Sequence, residues 1–261
     1  MLSYQHIYHA GNLADVQKHA LLAWVLNYLT RKDKPLSYIE THSGRGLYQL
    51  DAAESVRTGE AAAGIKRAQR EGWFGPDHPM ARVLEKVQAR RGTAAYPGSP
   101  MIAASLLREQ DSLHFAELHP QEHAALSLAM SPFGAKVYQQ DGFELVQSLL
   151  PPTPRRGMVL IDPSYEVKAD YDRLPAVIAK LHRKWNVGII ALWYPVLTDK
   201  RHVPMIEALK SQNYSKAVCH EVMFPPAREG HRMVGSGMFV LNAPFGIEDE
   251  TRRLSQLFAR L

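Results

Sequence analysis

The sequence contains a single cysteine, Cys219, and no long hydrophobic run. One cysteine excludes an internal disulfide and a zinc site built from several cysteines. No apolar stretch reaches the ~18 residues that a membrane-spanning helix needs, and the first residues lack the basic-then-apolar order of a secretory signal. Internal repeats and low-complexity tracts are also absent. These absences predict a cytoplasmic protein that does not enter a membrane.

The composition is that of a globular protein. Of its 261 residues, 46% are hydrophobic and 22% are charged, which supports one large domain or one domain with an insertion. The formal net charge of +5 only weakly favours a polyanionic partner. Residues 61–96 contain seven basic and three acidic side chains and hence +4 of that charge. A solvated helical surface and a nucleic-acid contact explain this excess equally well.

Seven short apolar segments, rich in β-branched and aromatic residues, are typical of strands. They occupy residues 36–41, 112–117, 135–139, 157–162, 187–193, 216–224 and 237–242. Apolar residues at helical spacing occur between them, at residues 14–28, 59–70, 79–90, 100–108, 120–130, 143–149, 171–184 and 204–211. Strands that alternate with helices predict a mostly parallel sheet with helices on both faces.

Two segments depart from this alternation. Residues 225–236 join the last two strands without a helix, which predicts a loop between antiparallel strands. Residues 50–96 contain no clear strand and predict a helical insertion. The sequence thus predicts an α/β, Rossmann-like class I methyltransferase fold, whose seven-stranded, mostly parallel sheet has an antiparallel last strand. Residues 1–49 and 97–261 would form this domain, interrupted by the insertion.

Polar residues and glycines follow the first three predicted strands. Gly44 and Gly46 stand two apart after the first strand, where glycines let the backbone approach a ligand closely. Glu117 ends the second strand and can accept hydrogen bonds from both hydroxyls of a ribose. After the third strand, Asp141 can accept a hydrogen bond from the amine of an adenine. Gly142 keeps the backbone close to the adenine ring. The alternatives are a structural turn, a helix cap or a loop anchor.

The fourth strand runs into Asp162-Pro163-Ser164-Tyr165. This tetrapeptide is similar to the (Asp/Asn/Ser)-Pro-Pro-(Tyr/Phe/Trp) motif of amino-group methyltransferases, with Ser164 in place of the second proline. The carboxylate of Asp162 and the carbonyl of Pro163 can accept both hydrogens of an exocyclic amine, which aims the nitrogen lone pair at an electrophilic methyl group. The ring of Tyr165 can stack on the target base. The alternative is an ordinary Asp-Pro turn.

The first nineteen residues contain three histidines, two tyrosines and a lysine. The histidines lack the spacing of metal ligands and a ready carboxylate partner, so we expect no metal site. Lys18 and His19 lie on a predicted helix and can bind a carboxylate or a phosphate. Tyr4, His6 and His9 can stack on RNA or clamp it, and a purely structural role for this segment is the alternative.

From Met1 to about Asn242, the sequence closely resembles the bacterial RlmJ family. The segments responsible are MLSYQHIYHAGNLADVQKH, YIETHSGRG, YPGSP, LLREQDSL, AELHP, DGF, RRGMVLIDPSYE, ALWYP and SGMFVLN. Members of that family are S-adenosylmethionine-dependent methyltransferases that act on the N6 amine of adenine 2030 in 23S ribosomal RNA. The insertion differs most from the family pattern.

The resemblance implies a mechanism and a set of site residues. It implies direct in-line transfer from the sulfonium of S-adenosylmethionine to an adenine flipped into the pocket, without a metal. The catalytic aspartate of the family falls on Asp162, beside Pro163 and Tyr165, and its substrate-side tyrosine falls on Tyr4. The implied cofactor contacts are Lys18, His19, His42, Ser99, Glu117, Asp141, Gly142 and Asp162. The implied partner is 23S ribosomal RNA, and we expect a monomer.

Two other functions stay open. Protein glutamine N5-methyltransferases use the same kind of motif, usually with asparagine first, so Asp162 and the basic insertion count against that interpretation. A non-catalytic module that binds the cofactor or RNA is the second alternative, because Ser164 replaces a proline that stiffens the motif.

Overall fold

The computed structural model describes residues 4–228 and 230–261. Its strands in chain order are β1 (Ser37–Glu40), β2 (Leu47–Gln49), β3 (Ala95–Pro97), β4 (Ser112–Ala116), β5 (Lys136–Tyr138), β6 (Gly157–Ile161), β7 (Ile189–Leu197), β8 (Val218–Met223) and β9 (Met233–Leu241). Its α-helices are α1 (Leu13–Thr30), α2 (Ala53–Thr58), α3 (Glu60–Ala63), α4 (Ile65–Arg70), α5 (Pro79–Arg91), α6 (Ser99–Leu106), α7 (Pro120–Met130), α8 (Gly142–Leu149), α9 (Ala169–Lys184), α10 (His202–Lys210) and α11 (Ile247–Phe258). None of these helices in the described ranges is long and apolar enough to cross a bilayer.

Seven strands form one sheet in the order β5-β4-β1-β6-β7-β9-β8. β1 runs parallel to β4 and β6, β5 runs parallel to β4, and β7 runs parallel to β6. β9 is antiparallel to both of its neighbours, β7 and β8. The predicted α/β class, the seven-stranded sheet and its antiparallel last strand are confirmed. After β1, the chain adds β4 and β5 on one side of it and then adds β6 on the other side. This change of side leaves a crevice at the carboxyl ends of β1 and β6.

Both faces of the sheet are buried, so the central strands are apolar throughout. In β1, Tyr38 packs into the core on one face and Ile39 into the core on the other. In β6, Leu160 and Ile161 divide in the same way. Helices α1, α5, α6 and α11 contribute to the first core, and α8, α9 and α10 to the second. The two cores fix the sheet from both faces, and because β1 and β6 run parallel, the loops after them lie at the same edge.

The segment 50–96 is mostly helical, with one strand that the sequence did not predict. β3 begins at Ala95 and pairs with β2 as an antiparallel ribbon in which Tyr96 lies opposite Tyr48. Both strands have only three residues and, unlike the equally short β5, contain no β-branched residue, so the pattern missed them. The helix predicted over 59–70 is divided into α3 and α4 at Gly64, where a Cβ would lie 2.1 Å from the carbonyl oxygen of Gly11.

The last helix, α11, was also not predicted. Its buried face consists of Ile247, Glu250, Leu254 and Phe258, which recur at the spacing of one helix face. Acidic residues in its first turn are also favourable there. Both signals are present in the sequence, so the helix was predictable. It packs on α1 and β8 and closes the core on the face that holds α1.

Candidate active site

A cleft of about 560 Å³ opens at the carboxyl ends of the parallel strands. It is lined by all thirteen residues that the sequence assigned to the site: Tyr4, His6, His9, Lys18, His19, His42, Ser99, Glu117, Asp141, Gly142, Asp162, Pro163 and Tyr165. Among the described lining residues, none belongs to the insertion at 50–96. The structure brings these residues together because the parallel strands end at one edge of the sheet, and the N-terminal segment, α1 and the start of α6 line the cleft at that edge. The role assigned to each residue stays a prediction.

Lys18 and Asp162 form an ion pair at the centre of the cleft. The ammonium of Lys18 lies 2.7 Å from Asp162 Oδ2 and 3.0 Å from Asp15 Oδ1, with the ring of Trp193 5.3 Å away. Burial disfavours the charged lysine, but the two carboxylates outweigh it and raise the pKa of Lys18 above its ordinary value. Lys18 is therefore a cation. Asp15 was not among the predicted site residues, although an acid three residues before a lysine on one helix face was a usable signal.

Tyr4, His6 and His9 form the outer wall of the cleft. Tyr4 Oη lies 2.7 Å from His6 Nδ1, and the Tyr4 ring stacks on the His9 ring at a centroid distance of 5.8 Å. His6 Nε2 lies 2.8 Å from Asp15 Oδ2, and His9 Nδ1 lies 3.0 Å from Glu60 Oε1. The expectation that these histidines lack carboxylate partners is therefore wrong. Within the described ranges, no group of three or more His, Cys, Asp or Glu side chains is arranged to hold a metal ion.

His19 and His42 are neutral imidazoles. Burial lowers the pKa of His19 to about 3 and that of His42 to about 4, although nearby carboxylates oppose both shifts. His19 Nδ1 lies 2.7 Å from Tyr96 Oη, and His42 Nδ1 lies 2.7 Å from Thr41 Oγ1. Each ring can exchange a hydrogen bond with a ligand but supplies no positive charge. Of the two residues expected to bind a carboxylate or a phosphate, only Lys18 is thus a cation.

Glu117 and Asp141 anchor the backbone around the cleft. The two carboxylate oxygens of Glu117 accept the N–H groups of Gly44 and His119, each at 2.8 Å. Oδ1 of Asp141 accepts the N–H of Phe143 at 2.8 Å and so caps α8. The anchoring roles that the sequence left open are therefore present. A ligand contact is compatible with them, because both side chains also line the cleft.

Gly142 lies against the backbone that follows β1. A Cβ at this position would lie 1.8 Å from the carbonyl oxygen of Thr41, so no side chain fits there. The sequence predicts that this glycine lets its backbone approach an adenine ring, and that role stays a prediction. The structure adds a steric reason for the glycine, the close packing of α8 against the end of β1.

We expect Gly142→Ala to lower the thermal stability and to weaken cofactor binding. The added methyl group forces α8 and its cap Asp141 away from Thr41, and overpacking of this kind costs about 1–3 kcal/mol. Gly75→Ala is the matched control, because a Cβ at Gly75 meets nothing within 4 Å. Thermal unfolding and calorimetric titration with S-adenosylmethionine measure the two effects. Equal values for the two variants would contradict the steric explanation.

Ser99 is linked to a buried acid that the sequence analysis did not select. The Ser99 hydroxyl donates to Oε1 of Glu40, and the Tyr38 hydroxyl donates to Oε2 at 3.0 Å. Burial raises the pKa of Glu40 to about 8. Glu40 ends β1 just as Glu117 follows β4, so the same strand-end signal could have identified it. Together with Ser99, it ties the start of α6 to the end of β1.

Tyr165 forms the wall beside Asp162. Its φ of +57° lies in the left-handed region that non-glycine residues rarely adopt, and such conformations occur preferentially at functional sites. The hydroxyl donates to the carbonyl of Trp193 at 2.7 Å, and the ring packs on Tyr171 at a centroid distance of 4.6 Å. The protein therefore fixes this ring in place. Its stacking on a target base stays a prediction.

Several buried polar atoms around the cleft have no protein partner among the described residues. They are Ser43 Oγ, His119 Nδ1, Tyr171 Oη and His231 Nδ1, and each belongs to a residue that lines the cleft. A buried polar atom without a hydrogen bond costs about 1–3 kcal/mol, so a polar ligand that satisfies these atoms is favoured. The cleft is thus suited to a molecule with several donors and acceptors.

The family model described as "Ribosomal RNA large subunit methyltransferase D, RlmJ" matches residues 33–260. The chain belongs to this RlmJ family. The Ribosomal RNA large subunit methyltransferase J of Escherichia coli K12 is 40% identical, over 96% of this chain and 90% of the relative. The protein of the same name from Haemophilus influenzae is 38% identical, over 97% and 92%. A crystal structure of a Legionella pneumophila protein aligns with a TM-score of 0.85 and 36% identity, over 95% of this chain and 92% of that one.

Membership of the RlmJ family confirms the resemblance and makes the protein a ribosomal RNA large-subunit methyltransferase. Methyltransferases of this class take the methyl group from S-adenosylmethionine, which is therefore the cofactor. The chemistry of the cleft fits it. Neutral imidazoles, strand-end carboxylates and buried polar atoms without partners suit a ligand that joins a nucleoside to an amino acid.

Proposed function

We propose that this protein transfers a methyl group from S-adenosylmethionine to the exocyclic N6 of an adenine in 23S ribosomal RNA, adenine 2030 by resemblance. The observation that carries the proposal is the position of Asp162. Its carboxylate follows the central strand β6, lies in the same cleft as the predicted cofactor contacts, and is held through one oxygen by Lys18 at 2.7 Å. The enzyme would act as a monomer in the cytoplasm.

The target amine needs activation, because its lone pair is delocalised into the adenine ring. In the proposed mechanism the carboxylate of Asp162 and the carbonyl of Pro163 accept its two hydrogens. The nitrogen then becomes pyramidal and directs its lone pair along the line of transfer. The cofactor supplies the electrophilic methyl group on its sulfonium. After transfer the amine loses its proton to solvent.

The target adenine would be flipped out of its RNA helix. An amine inside a paired and stacked base cannot reach the end of β6, so enzymes of this kind extrude the base. The wall formed by Tyr4, His6 and His9, together with Tyr165, supplies rings on which an extruded base can stack. Tyr4 is 37% exposed, so its ring is accessible to RNA.

We expect the insertion to hold RNA by its phosphates. Lys66, Lys86 and Arg90 are exposed and make no ion pair among the described residues, whereas Arg67 is paired with Glu71 at 2.7 Å. Replacing the three unpaired cations with glutamine should weaken RNA binding and flatten its dependence on salt. The slope of log K against log salt should change by about one unit for each cation that touches a phosphate.

The control for this experiment removes the same charge elsewhere. Lys32, Lys34 and Lys210 are also exposed, and the first two precede β1 at the edge of the sheet opposite the cleft. Their replacement with glutamine should leave the salt slope nearly unchanged. Equal slopes for both triple variants and the wild type would assign the basic insertion to a solvated surface.

The decisive experiment is mass mapping of ribosomal RNA from cells with and without this gene. We expect RNA from cells without the gene to lack N6-methyladenine at one adenine of 23S RNA. The purified protein with labelled cofactor should restore this methylation. Label in protein glutamine would instead favour the glutamine methyltransferase. Cofactor binding without turnover on unmodified RNA would favour a non-catalytic module.

A further inference from the structure

Asp15 occupies a position in the cleft that the assigned catalytic and cofactor roles do not explain. It is buried in the first turn of α1, and both of its oxygens are engaged. Oδ2 accepts the backbone N–H of Gly11 at 2.9 Å and lies 2.8 Å from His6 Nε2. Oδ1 lies 3.0 Å from Lys18 Nζ and 3.8 Å from His19 Nε2. All three side-chain partners belong to the same site.

Asp15 is the middle member of a chain of polar contacts that runs from the outer wall to the reaction centre. Tyr4 Oη lies 2.7 Å from His6 Nδ1, and His6 in turn contacts Asp15. On the other side Asp15 contacts Lys18, whose Nζ lies 2.7 Å from Asp162 Oδ2. Movement of Asp15 would therefore displace the wall and the ammonium that holds Asp162 at the same time.

Capping of α1 does not account for the charge of Asp15. Asn12 already caps the helix by accepting the N–H of Asp15 at 2.9 Å, and a neutral side chain can accept the N–H of Gly11 equally well. A neutral residue cannot supply a second carboxylate to a buried ammonium. Burial opposes ionisation of Asp15, yet the neighbouring basic side chains outweigh it and hold its pKa well below the ordinary value.

We propose that Asp15 is a positioning residue that fixes the Lys18 ammonium and thereby orients the Asp162 carboxylate toward the substrate amine. This inference rests on the proposed function, which assigns Asp162 to that amine. Lys18 engages Oδ2 of Asp162, and no hydrogen bond from the described residues reaches Oδ1, which leaves that oxygen for the substrate. Without Asp15 the ammonium is held from one side only and can shift over the ring of Trp193.

Asp15→Asn tests the proposal, because it keeps the size of the side chain and an acceptor for Gly11 but removes the charge. We expect kcat for methyl transfer to 23S ribosomal RNA to fall on the order of 10²-fold, as misplacement of a reacting group does. Because Lys18 and Asp162 are also implied cofactor contacts, kcat is measured at saturating S-adenosylmethionine. Glu250→Gln is the matched control: Glu250 is a buried acid in the first turn of α11, paired with His78 and Arg253 away from the cleft.

The pH profile of kcat separates positioning from mere structural support. Lys18 packs against the ring of Trp193. The charged and titratable groups that face Lys18 are Asp15, Asp162, Tyr4, His19 and Glu40, and His6 lies behind Asp15. Loss of the Asp15 carboxylate removes one of the two groups that raise the pKa of Lys18. The ammonium is then lost at lower pH than in the wild type, so the activity of the variant should begin to fall at a lower pH on the alkaline side. Wild-type kcat, or a lowered kcat with the alkaline pH dependence of the wild type, would overturn the proposal.

A second pair of variants keeps the proposal testable if Asp15→Asn does not fold. In Asp15→Asn/Lys18→Gln both charges are removed, which a buried site tolerates better than loss of one. If Asp15 acts through Lys18, this double variant and Lys18→Gln alone should have equal kcat. A further tenfold fall in the double variant would overturn the inference. Failure of wild-type protein to methylate the RNA would instead refute the proposed function itself.

Discussion

Asp162→Ala is expected to lower kcat for methyl transfer to 23S ribosomal RNA by on the order of 10³-fold, the effect of deleting one preorganised polar group at a reacting centre. The alanine removes an acceptor that fixes the amine hydrogens. It leaves Lys18 paired with Asp15 at 3.0 Å, so the variant should fold. Turnover is measured with labelled cofactor at saturating concentration, because Asp162 is also an implied cofactor contact.

Asp162→Asn sharpens the interpretation of this result. The asparagine has one carbonyl oxygen where the aspartate has two, and Lys18 already requires an acceptor at the position of Oδ2. The amide nitrogen then points a donor at the substrate amine, which is itself a donor. We therefore expect a loss of the same order as for alanine. Turnover within tenfold of wild type in both variants, with unchanged thermal unfolding, would refute the assigned role.

Lys18→Met is the second variant for which we expect a large effect. It leaves Asp15 and Asp162 facing each other in the cleft without the cation between them. Removal of one partner from a buried ion pair costs about 3–5 kcal/mol of folding free energy. Activity should fall as well, because Asp162 loses the contact that orients it. Lys32→Met is the control, since Lys32 is exposed and a surface substitution changes stability by about 0.5 kcal/mol or less.

The pH dependence of unfolding gives Lys18→Met a second test. In the wild type the pKa of Asp15 is lowered in the fold, so its contribution is present above the ordinary value of 3.8 and is lost as the pH falls through the folded value. The pKa of Lys18 is raised, so its contribution is present below 10.5 and is lost as the pH rises through the folded value. The stability deficit of the variant should therefore be largest near neutral pH and narrow in acid. A deficit independent of pH, measured by urea unfolding, would contradict the ion-pair explanation.

Much of the fold was predictable because strand and helix periodicity are local properties of the chain. The strand predicted over 157–162 is β6, which ends one residue earlier, and the helix predicted over 120–130 has the same limits in the structure. The exceptions have physical causes. The three-residue strands β2 and β3 lack the β-branched residue that marks the equally short β5. Gly64 divides a predicted helix because the backbone of Gly11 lies against it.

The candidate site divides in a similar way. Asp162 and Glu117 were identifiable because acids at strand ends stand out from the apolar strands before them, and all thirteen selected side chains line one cleft. The steric need for Gly142 could not be predicted, since nothing local shows that Thr41 lies against it. The carboxylate partner of His9 was missed because Glu60 lies 51 residues beyond it, whereas Asp15, the partner of His6, is only nine residues away and could have been considered.

The sequence by itself determined the class of fold, the strand-end residues and the family, because periodicity and short motifs are written in neighbouring residues. Only the tertiary structure decided which charges meet. Lys18 is separated from Asp162 by 144 residues. The ammonium of Lys18 could pair equally well with any carboxylate of the chain. Asp15 lies one helical turn before Lys18 in α1, whereas the packing of α1 on the sheet selects Asp162 from among the distant carboxylates, and burial then makes that one arrangement of charges far more stable than the alternatives.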